Sequence, residues 1–84
     1  MEDFKIKVNN PEESELTQRL MFKLGYEWKY NHTDVHSTDQ PFLFFINGYI
    51  TYSWSNVTFS ETSLRELTFE ELIDELNSFI DNKS

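Results

Sequence analysis

Apolar and charged positions alternate at the start of the chain. Phe4, Lys5, Ile6, Lys7 and Val8 repeat with a period of two, the pattern of a half-buried strand whose lysines point to solvent. The period then changes. Asn10, Pro11 and Glu13 form a helix start, with a side-chain cap, a proline that needs no N–H partner and a glutamate three residues beyond the cap. Leu16, Leu20 and Leu24, with Met21 beside them, make one helical stripe that Gly25 ends. Tyr26-Glu27-Trp28-Lys29-Tyr30 alternates again and predicts a second strand, and the aperiodic polar stretch from Asn31 to Gln40 reads as a loop. Phe42–Ile46 and Tyr49–Trp54 flank Asn47-Gly48, which predicts a two-residue hairpin because both turn residues must take positive φ. Ser55 to Ser63 is polar, with Val57 and Phe59 as anchors, and Leu64 to Leu67 is a short candidate strand. Thr68 and Glu71 then form a second capping box. Behind it Phe69, Leu72, Ile73, Leu76, Phe79 and Ile80 follow the i, i+3, i+4, i+7 rule of an amphipathic helix.

The order β-α-β-β-(β)-α predicts a single α+β domain over residues 1–84. The expected architecture is a two-layer sandwich: a mainly antiparallel sheet of three to four strands with two helices on one face. The hairpin register puts Leu43, Phe45, Ile50 and Tyr52, with Trp54 at the strand end, on one sheet face and Phe42, Phe44, Ile46 and Tyr49, with Thr51 and Ser53, on the other. Two helices, each with one apolar stripe, cover only one of these faces. Phe42, Phe44, Ile46 and Tyr49 are therefore candidate partner-binding residues. Two occupants compete for them within the chain, namely the 31–40 loop and Val57 with Phe59. From outside, a homodimer through this face is as credible as a foreign partner.

Composition narrows the choice. In 84 residues there is room for one core, and the 17% of aromatic residues can fill it, each ring burying roughly 150–250 Å². The absence of cysteine rules out disulfides and suits a reducing cytoplasm. No stretch is long and apolar enough to cross a membrane, and Met1-Glu2-Asp3 is unlike a signal peptide, so the expected location is cytoplasmic. The formal net charge is −8, which repels phosphate backbones and argues against direct nucleic-acid binding while favouring a partner with a basic surface. Glu70, Glu71, Asp74 and Glu75, with Asp81, gather on the outer face of the last helix, and the first four join the candidate partner-binding residues.

Catalytic and metal chemistry find little support. His32 and His36, with Asp34 and Asp39 nearby, would converge on a metal only in a helix, and the surrounding Asn, Thr, Asp and Ser disfavour one. The α-helical carboxylates lie opposite the core stripe, where burial does not drive their pKa values apart. Both glycines are committed to a helix end and a turn, leaving none for a phosphate-cradling loop. The expectation is a non-enzymatic protein with no catalytic residues, no metal and no cofactor.

Phe4–Val8, Asn9-Asn10-Pro11-Glu12-Glu13-Ser14, Leu20–Leu24 with Gly25-Tyr26-Glu27-Trp28, and Leu67-Thr68-Phe69-Glu70-Glu71-Leu72 together resemble segments of small uncharacterised accessory proteins of tailed bacteriophages. The resemblance covers about half the chain, rests on caps and strand ends, and carries no functional residue across. It implies a setting: an acidic inhibitor or host-takeover protein of the anti-CRISPR or anti-restriction class, acting in the host cytoplasm by protein–protein contact. A self-assembling structural or regulatory module is the alternative.

Overall fold

The computed structural model describes residues 2–30 and 32–81, the side chains of 79–81 excepted. Among these the elements run β1 (Phe4–Lys7), α1 (Pro11–Lys23), β2 (Glu27–Trp28), β3 (Phe42–Ile46), β4 (Tyr49–Ser53), α2 (Asn56–Glu61), β5 (Arg65–Leu67) and α3 (Phe69–Asp81). The α+β class holds. The details differ in ways that matter for the surface.

The hairpin is the seed of the sheet. Asn47 and Gly48 take φ of 54° and 84°, the positive values that a primed turn requires, and Ile46 faces Tyr49, Phe45 faces Ile50, Phe44 faces Thr51 and Leu43 faces Tyr52. Around it the strand order is β2-β4-β3-β1-β5. β1 pairs antiparallel with β3 and parallel with β5, and β2 pairs parallel with β4, so the sheet is mixed rather than mainly antiparallel. The second strand is two residues long, because its chain turns back at the Trp28–His32 bridge.

The main core lies on one face. Phe4, Ile6, Leu43, Phe45, Ile50, Trp28 and Leu67 meet Met21 of α1 and Leu72 and Leu76 of α3 there. Phe4 and Phe45 stack at 4.7 Å and the Tyr26 ring meets Phe45 edge-on at 5.6 Å. α3 starts as expected, with Leu72 and Leu76 buried, while the expected places of Phe79 and Ile80 in its stripe fall outside the described side chains. α1 ends in a Schellman arrangement at Gly25 (φ 100°), with the Tyr26 N–H bonded to the Met21 carbonyl at 3.0 Å.

α1 is rolled away from its leucine stripe. Ser14, Thr17, Gln18 and Met21 are buried, whereas Leu16 is 44% exposed and Leu20 only half-buried. Gln18 explains the roll. Its amide N–H donates to Ser14 Oγ at 3.1 Å and to the His36 carbonyl at 2.8 Å, and its oxygen accepts from Trp28 Nε1 at 3.1 Å and from the His36 N–H at 3.2 Å. One side chain thus ties the helix, β2 and the following loop together, satisfying polar groups that burial would otherwise penalise.

The largest departure is α2. Asn56–Glu61 form a helix where a loop was expected, and it lies on the face opposite α1 and α3, so helices cover both sides of the sheet. Ser, Asn, Val and Thr are indifferent helix formers. The helix forms nonetheless, because Ser55 Oγ caps the Thr58 N–H at 3.2 Å and Phe59 docks on the strands.

Candidate functional site

The back face of the hairpin is not bare. Phe42 and Phe44 are buried beneath Phe59, whose ring stacks on Phe42 at 4.5 Å and lies 6.0 Å from Phe44, with Ile46 and Leu64 packed at the margin. Lys5 closes this second core. It is 5% exposed, and its ammonium donates to the Thr62 carbonyl at 2.8 Å and to the Phe59 carbonyl while lying 4.7 Å from the Phe59 ring centroid. Two expectations are corrected here. Lys5 does not point to solvent, and Phe42 and Phe44 cannot meet a partner while α2 is in place. Ile46 is half-buried, and Tyr49, at 46% exposure, is the one of the four that faces solvent. Of the two coverings considered within the chain, Phe59 is the one present, while Val57 stays 63% exposed.

Four carboxylates of α3, Glu70, Glu71, Asp74 and Glu75, divide into two pairs. Glu71 belongs to the helix start: its N–H donates to Thr68 Oγ1 at 3.1 Å and its carboxylate accepts from the Thr68 N–H at 2.9 Å. That backbone bond, reinforced by the Thr68 hydroxyl and by the nearby Arg65 charge, holds the Glu71 carboxyl below its ordinary range. Glu75 is ion-paired with Arg65. Glu70 and Asp74 are exposed and have no hydrogen bond or ion pair to any described residue. Glu61 and Glu66 are exposed as well, and from residue 61 to 75 Arg65 is the only cation against six carboxylates.

The histidines stand apart. His36 packs on the Trp28 ring at 4.0 Å with Nδ1 2.8 Å from Ser37 Oγ, while exposed His32 lies 3.6 Å from a Glu27 oxygen. Among the described residues no three His, Asp or Glu side chains are grouped to hold a metal ion, and no helix is long and apolar enough to cross a membrane. Burial, aided by the Asp3 charge, pushes the Tyr26 phenol above its ordinary range. No protein-family model, curated protein or solved structure matches the chain.

A second surface was missed by the residue pattern. Tyr30 and Trp54 are 83% and 82% exposed and Tyr52 is 49% exposed, all at the β2–β4 edge of the sheet, opposite the edge that carries β5. The signal was present in the register. Tyr52 shares a face with Leu43 and Phe45 but sits toward the end of the strand, beyond the reach of a two-residue β2.

Proposed function

We propose that the chain is a small acidic binding protein that docks on a basic surface of a nucleic-acid-handling or defence protein in the host cytoplasm and inhibits it, as the resemblance to phage accessory proteins implies. The observation that carries this reading is the uncompensated charge of Glu70 and Asp74 in a segment with six carboxylates and one cation, in a chain of net charge −8. The buried position of Lys5 makes the outer surface more acidic than the formal count suggests. Such a field steers a basic partner into contact and competes with phosphate for the same site. Glu71 and Glu75 support this charge less directly, since the fold already uses both.

The alternative, a self-assembling module, was attached to the face that Phe59 covers, and two copies of net charge −8 repel each other. It therefore stands second. The test is DNA cleavage by purified restriction enzymes and CRISPR effectors in the presence of the chain. We expect inhibition that fades with added salt and is relieved by Glu70→Lys with Asp74→Lys. Full cleavage across the panel with the unaltered chain would withdraw the inhibitor reading.

A further inference from the structure

β4 outruns its neighbour. β2 pairs with Tyr49 and Ile50, so among the described residues the sheet edge along Thr51, Tyr52 and Ser53 has no adjoining strand. In a two-residue hairpin with Ile46 opposite Tyr49, the backbone groups of Tyr49, Thr51 and Ser53 face β3 and those of Ile50 and Tyr52 face outward. The ladder to β2 ends at the Trp28–Ile50 pair, which leaves the Tyr52 N–H and carbonyl pointing past its end. An open cleft of about 500 Å³ lies there, lined by Trp28, Tyr30, His36, Ile50 and Tyr52, with Tyr52 meeting the Trp28 ring edge-on at 6.1 Å. A second hollow of about 450 Å³ continues along the strand between Tyr52, Trp54 and Gln40. Gln40 carries a buried side-chain oxygen with no hydrogen-bond partner among the described residues.

We propose that this edge receives an extended, arginine-bearing segment of a protein partner. The proposal rests on the basic-partner reading and names where the partner's side chains go. Three features converge on that chemistry. The open Tyr52 backbone groups suit a strand added in extension. Exposed Tyr and Trp faces attract a guanidinium, just as the Tyr30 ring already has the Lys29 ammonium 5.8 Å from its centroid. Gln40 lines the second hollow, and its side-chain oxygen, buried and without a hydrogen-bond partner among the described residues, becomes an acceptor for a guanidinium's five donors once the side chain turns into the hollow. Charge selects among occupants. Residues 26–54 carry Glu27, Asp34 and Asp39 against Lys29, and the whole chain is at −8, so the field opposes both a second copy and a phosphate backbone.

The experiment is an amide chemical-shift titration of the labelled chain with a short peptide alternating arginine and threonine. A peptide with glutamate in place of arginine and an oligothymidylate serve as controls. The arginine peptide is expected to shift Tyr30, Gln40 and Thr51–Trp54. Tyr52→Ala and Trp54→Ala, at positions 49% and 82% exposed, should weaken it by about threefold each and about tenfold together, with the fold of each variant checked by its own amide spectrum. Glu70→Lys should leave these shifts on the same residues. If the double variant binds as tightly as the parent, or the shifts gather on α3, the cleft is not the site and the basic-partner reading stands alone. Absence of any shift with the arginine peptide overturns the cleft proposal, the charge-reversal assay then deciding the wider reading separately. Binding of the oligothymidylate at Tyr52 and Trp54 overturns both.

Discussion

A buried ammonium is tolerated only where acceptors replace its water. Lys5 meets that condition at the C-terminal end of α2, where the helix dipole is negative and the Phe59 and Thr62 carbonyls converge on it. Lys5→Met keeps the stem and removes the donor, and should lower stability by about 1–3 kcal/mol in urea unfolding, with faster amide exchange in residues 56–62. A variant as stable as the parent would mean that the lysine only fills space. The alternation of the first strand placed Lys5 on the correct face. What it could not supply was that this face is itself covered. Glu71 gives a pH signature. Its carboxyl is held below its ordinary value of 4.5 in the folded chain, so the charged form stabilises the fold above that value, and the benefit is lost as pH falls through the depressed one. The stability gap between the parent and Glu71→Ala should be constant at neutral pH and close on the acid side of 4.5. A gap that persists unchanged in acid would remove the capping role from the carboxylate.

At the scale of elements, a helix docks through the face that its neighbours can satisfy. The leucine spacing of α1 made Leu16, Leu20 and Leu24 the expected inner stripe, yet Gln18 is fully buried because Trp28 Nε1 and the His36 peptide need a partner at that point. Those needs arise from residues ten and eighteen positions away, which no local period reports. Gln18→Ala should cost about 2–5 kcal/mol, since it strands the Trp28 indole N–H and opens a cavity. Its neighbour behaves oppositely. Thr17 Oγ1 is buried without a hydrogen-bond partner among the described residues, so Thr17→Val is expected to leave stability equal or raise it by about 1 kcal/mol. Denaturation midpoints for the two variants separate these outcomes, and a Thr17→Val protein as damaged as Gln18→Ala would refute the distinction. α2 was hidden for a related reason. Its residues carry weak propensity, and its existence depends on Phe59 finding Phe42 and Phe44 on β3, which precedes it in the chain. α3, by contrast, was legible because cap, apolar period and burial agree within one segment.

Across the whole molecule, charge and aromatic surface fall at opposite edges of the sheet, the carboxylates beside β5 and the open rings beside β4. The carboxylates were legible from sequence, but the exposed rings and their separation from the charge were not, because strand order and the shortness of β2 are decided by long-range pairing. A fold with this much unpaired negative charge strains against itself at low salt. Raising ionic strength from about 0.01 M to 0.1 M shortens the screening length from ~30 Å to ~10 Å and should raise the melting temperature. Glu70→Lys with Asp74→Lys should flatten that response, and an unchanged salt dependence would place the repulsion elsewhere. The pairing of β1 has a further consequence, in time rather than in space. Phe4–Lys7 lies between β3 and β5, so β1, made before its partners, has no neighbour until residues 42–46 follow it, and β5 can dock only on β1. Synthesis at ~5–20 residues per second therefore leaves β1 waiting for seconds before β3 follows, and its other edge stays open until β5 is made.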